Sequence, residues 1–70
     1  MRLDALAAHV TPDWARRLGE VLAAHRGPAE VHLWVRGPAK TTVYRLGPRV
    51  AVRPELWADL KAAVVLTPPP

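Results

Sequence analysis

Few side chains in this sequence could do chemistry. The carboxylates are Asp4, Asp13, Glu20, Glu30, Glu55 and Asp59. Glu55 and Asp59 stand four residues apart, which puts both on one face of a helix. Neighbouring carboxylates can raise one pKa and supply general acid–base work. The same pair can equally be a solvated face, with Glu55 near the favourable N-terminal end of the helix dipole. No nucleophile completes a site. The chain has no Ser and no Cys, which leaves Thr11, Thr41, Thr42 and Thr67 as its aliphatic hydroxyls. The lack of Cys also excludes disulfides, Fe–S clusters and thiolate zinc sites. His9, His25 and His32 show no metal-ligand spacing. The expectation is a chain with no catalytic residue, no metal, no cofactor and no small-molecule substrate.

Trp34 is the most informative residue. Alternation over residues 30–36 turns Val31, Leu33 and Val35 one way, and Glu30, His32, Trp34 and Arg36 the other. If residues 37–40 form a loop, Arg36 lies opposite Thr41 and Leu33 opposite Tyr44. Thr42, Tyr44 and Leu46 then join the core face. Thr41, Val43 and Arg45 join His32, Trp34 and Arg36 on the outer face, and a one-residue slip would reverse this. Three readings of Trp34, His32, Arg36, Val43 and Arg45 stay open. An aromatic among arginines can stack bases and meet phosphates. Trp and Arg are also common anchors of protein interfaces. Trp34 and Val43 could simply be a cross-strand pair that stabilises the hairpin.

The elements that position these residues can be read from local pattern. Thr11 is a candidate N-cap, with Pro12 at the first helical position and Asp13 in the first turn. Trp14, Leu18, Val21, Leu22 and His25 follow at helical spacing, and Gly27-Pro28 ends the run. Gly-Pro recurs at Gly37-Pro38 and Gly47-Pro48. Read as turns, the three pairs predict a β-meander, with a last short strand over residues 50–52. Pro54 opens a second helix, with Leu56, Trp57, Leu60, Ala63 and Val64 as its apolar stripe. Residues 2–10 fit a helix through Leu3, Leu6, Ala7 and Val10, which their Ala content favours, or a short strand through Leu3, Ala5 and Ala7, which would add a strand to the sheet. The fold class expected is a small α+β domain in the order β-α-β-β-β-α. Two helices cover one face of a mostly antiparallel, three- to four-stranded sheet. One domain over residues 1–66 and an extended, frayed proline tail over 67–70 are expected.

Size and charge narrow the functional classes. Seventy residues hold one small domain, half of it apolar and 23% charged, a globular balance. The net charge is +4 and the pI about 10.8, carried mostly by Arg. That suits phosphate or carboxylate recognition, and it also keeps a small domain soluble. No apolar run approaches the ~20 residues of a membrane span. The early acid in Met1-Arg2-Leu3-Asp4 argues against a signal peptide. A cytoplasmic protein is expected.

One run is Leu22-Ala23-Ala24-His25-Arg26-Gly27-Pro28, followed by Val31-His32-Leu33-Trp34-Val35. Another is Arg45-Leu46-Gly47-Pro48-Arg49-Val50, followed by Val52-Arg53-Pro54-Glu55-Leu56 and Leu60. Together they resemble the C-terminal domain of the bacterial replicative DNA polymerase III alpha subunit, over roughly residues 2–64. Val64-Val65-Leu66 and the proline tail depart from that pattern. The resemblance implies a non-catalytic domain in DNA replication, since polymerase and exonuclease carboxylates lie upstream in such proteins. It implies docking to the clamp-loader tau subunit or to neighbouring polymerase domains. The alternative from the residues themselves is a small basic module that binds single-stranded DNA on the open sheet face.

Overall fold

The computed structural model of the chain describes residues 1–68. Its elements are β1 (Arg2–Leu6), a 3-10 turn (Ala7–His9), α1 (Pro12–Ala24), β2 (Arg26–Arg36), β3 (Thr41–Val50) and α2 (Pro54–Ala63). The three strands form one mixed sheet in the order β1-β2-β3. β1 runs parallel to β2, and α1 supplies the crossover a parallel pair requires. β2 and β3 form an antiparallel hairpin in the expected register, with Arg36 opposite Thr41 and Leu33 opposite Tyr44.

Local chemistry starts and stops the helices as the pattern requires. The Thr11 hydroxyl accepts from the Trp14 N–H at 3.1 Å, with Pro12 in the first turn. Pro54 likewise stands in the first turn of α2, whose N-cap Arg53 makes no side-chain cap. Both helices pack on one sheet face. Leu3 and Ala5 of β1, Val31 and Leu33 of β2 and Val50 of β3 are buried there. They meet Trp14, Leu18 and Leu22 of α1 and Leu56, Leu60 and Val64 from α2 and its end. His25 and Asp59 tie the helices together, 2.6 Å apart.

Four expectations need correction. Tyr44 was placed in the core and is 52% exposed. On the helix side of β3, Val50 is buried, Leu46 and Thr42 are half-buried and Tyr44 is exposed, its ring lining a hollow at the loop end that no residue of either helix lines. Trp57 is also exposed, since Leu56, Leu60 and Val64 alone carry the buried stripe of α2. The strand expected over 50–52 is not separate; β3 runs unbroken to Val50, and Val52 is exposed. Only Gly37-Pro38 makes a turn. Gly27-Pro28 and Gly47-Pro48 lie inside β2 and β3, where the register shifts between Arg26, Ala29 and Val31. Pro is accepted at bulges and on edge strands. β3 is an edge strand, and β1 starts beside His32, too late to flank Pro28.

The tail is not frayed at its start. The Thr67 N–H donates to the Asp4 carbonyl at 2.8 Å, on the free side of β1. The rest of the tail expectation, at Pro69 and Pro70, lies outside the described residues.

Candidate functional site: the open sheet face

The face away from the helices carries a grid of three rows, set by the two registers. Arg2, His32 and Arg45 form the first row, Asp4, Trp34 and Val43 the second, and Leu6, Arg36 and Thr41 the third. The structure therefore brings His32, Trp34, Arg36, Val43 and Arg45 onto one face. Trp34 sits at its centre, half-buried, with Val43 beside it 47% exposed.

Sequence reasoning missed what β1 contributes. The Arg2 guanidinium lies over the Trp34 ring, 3.9 Å from its centroid. It also grips Asp4 with two nitrogens, Nε to Oδ2 at 3.0 Å and Nη2 to Oδ1 at 2.9 Å. Asp4 is only 5% exposed, and this bidentate grip is what makes a buried carboxylate tolerable. The signal available in the sequence was the alternation of Leu3 and Ala5 against Arg2 and Asp4. It could not be used without knowing that β1 lies next to β2.

Most cations of the face are already engaged. Arg2 is held by Asp4. Arg36 turns its Nη2 to the Thr67 hydroxyl at 3.2 Å and to the Pro68 carbonyl at 3.4 Å. Glu30 stands 3.5 Å from Arg49 and 3.6 Å from His32. Among the described residues, neither Arg36 nor Arg45 meets a carboxylate.

Asp59 is taken by His25, and Glu55 is exposed. Among the described residues no three His, Asp or Glu side chains gather where a metal could bind. No helix of the described residues is long and apolar enough to cross a membrane. No protein-family model matches the chain, and no solved structure matches it.

Proposed function

We propose that this chain is a non-catalytic docking domain whose open sheet face takes a protein partner. The observation that carries the reading is Trp34, half-buried at the centre of an uncovered face, clamped by Arg2 and flanked by exposed Val43. A ring held rigid by its neighbours loses little entropy on binding, and Trp with Arg is the usual anchor of an interface. Binding of a phosphate polymer is the weaker reading. It draws its strength from free cations, and Arg2 and Arg49 are already paired with carboxylates here. A single Trp is also a poor stacking track for successive bases.

The specific form of the proposal comes from the sequence resemblance alone. In it the domain ends a bacterial replicative polymerase alpha subunit in the cytoplasm. There it tethers the polymerase to the clamp-loader tau subunit or seats it on neighbouring polymerase domains. The test is a pair of titrations, one with purified tau subunit and one with oligothymidylate, each at low and high salt. Protein docking gives tau binding that survives salt and depends on Trp34. Oligothymidylate binding that collapses with salt and disappears in an Arg36→Glu, Arg45→Glu variant supports the nucleic-acid reading instead. Binding of neither ligand removes the replisome form.

A further inference from the structure

The two edges of the sheet are treated differently. β1 is partly closed by the C-terminal segment, through Thr67 and Asp4. Among the described residues nothing covers β3. Its free backbone groups can be assigned. The His32 N–H donates to the Met1 carbonyl, towards β1, so His32 and Arg45 exchange no backbone bonds. By the alternation of antiparallel pairs, Trp34 with Val43 and Arg36 with Thr41 exchange none either. The N–H and C=O groups of Thr41, Val43 and Arg45 therefore point away from the sheet, and all three residues are exposed.

The surroundings of that edge have a definite chemistry. On the helix side two hollows flank β3. One, of about 190 Å³, lies between α1 and β3, lined by Trp14, Leu18, Leu33 and Leu46. The other, of about 320 Å³, lies at the loop end against Val35, Thr42 and Tyr44. The opposite side of the edge carries Arg45, and Arg49 paired with Glu30 at 3.5 Å. β3 contains no carboxylate, and Lys40 precedes it.

We infer that the free edge of β3 accepts an extended acidic segment of a partner protein as a fourth strand. This rests on the reading of the chain as a protein-docking domain and names the chemistry of what docks. Successive side chains of an added strand alternate between faces. Apolar residues at every second position enter the hollows beneath α1 and beside Tyr44, and carboxylates between them meet Arg45, which no carboxylate of the described residues engages. A second copy of this chain fits less well. It would bring the cations of both edges to one seam with no carboxylate from either strand, and like charges across a strand pair are destabilising.

The test uses the whole chain and a synthetic heptapeptide in which Glu and Val alternate, followed by amide NMR and hydrogen exchange. The expected result is protection of the Thr41, Val43 and Arg45 amides on adding peptide. Replacing every Glu by Lys should weaken binding about tenfold or more, as loss of charge complementarity does. Val43→Pro removes an N–H that β2 does not use, and should abolish binding. Should that variant fail to fold, Arg45→Glu must narrow the preference for the Glu peptide over the Lys peptide. Three results would overturn the inference: protection elsewhere than on β3, equal binding of both peptides, or β3 amides protected by self-association without peptide. Peptide binding lost in Trp34→Ala but kept in Val43→Pro would also overturn it, while leaving the open-face proposal standing.

Discussion

Gly27→Ala should be among the most damaging small changes this chain can suffer, for a reason unrelated to backbone freedom. No glycine here has positive φ, so the conformation of Gly27 is open to any residue. The obstacle is space. A Cβ at position 27 would stand 2.3 Å from the Ala51 nitrogen, 2.5 Å from its Cα and 2.6 Å from the Val50 carbonyl carbon. All three are backbone atoms that cannot turn aside. The Ala51 N–H donates to the His25 carbonyl at 2.8 Å, a bond joining the end of α1 to the chain leaving β3. Relieving the overlap means moving that segment. Overpacking costs about 1–3 kcal/mol, and a lost hydrogen bond about 1 kcal/mol more. Stiffening the unfolded chain returns about 0.4–1 kcal/mol. The net loss is about 1–3.5 kcal/mol by those same estimates. Gly19 is the control, since it lies in α1 with nothing within 4 Å of an added Cβ. Gly19→Ala should gain about 0.5–1 kcal/mol from helix propensity. For a domain of this size each kcal/mol moves Tm by about 4–8 °C. Thermal melts followed by far-UV circular dichroism should show Gly27→Ala falling by about 5–25 °C and Gly19→Ala rising by a few degrees. Equal melting of Gly27→Ala and the parent would refute the packing of residues 27 and 51.

Other consequences can be checked on the same samples. Leu33→Ala opens a cavity in the buried centre of β2 and should cost about 2–5 kcal/mol by urea titration. Thr11→Ala removes the cap of α1 and should cost about 1 kcal/mol in the same titration. The Asp13 carboxyl is held below its usual range, chiefly by the hydrogen bond from Arg16, then against slight desolvation by the charge of Arg17. A carboxylate depressed in the folded state stabilises above its unfolded pKa, and the contribution is lost as pH falls through the folded value. The stability gap between the parent and Asp13→Asn should therefore stand at pH 7 and close below about pH 4, read by denaturation at each pH.

The parts of the fold legible in the sequence were those with a clean period. Residues 30–36 alternate without exception, so the hairpin register and the outer row His32, Trp34 and Arg36 could be read directly. Thr11-Pro12 and Pro54 mark the helix starts because a hydroxyl cap and a first-turn proline are local signals. Tyr44 failed because alternation tells which face a residue points to, and says nothing about how far the helices extend over that face. The outer Gly-Pro pairs failed because the dipeptide rule takes no account of whether a neighbouring strand is present. Pro28 and Pro48 are tolerated where one is missing. Arg2 and Asp4, which hold Trp34 in place, needed the parallel pairing of two segments about thirty residues apart, and no short-range pattern carries that.

The most direct test of docking through the open face is the affinity of Trp34→Ala, relative to the parent, for purified clamp-loader tau subunit. Trp34 belongs neither to the buried core nor to the residues packed against it, so the variant should stay folded, as its circular dichroism would show. Loss of an interface anchor should weaken binding by about 2 kcal/mol or more, roughly thirtyfold in Kd. Tau binding that is unchanged by removal of Trp34, in a protein that remains folded, would contradict the assignment of this face as the docking surface.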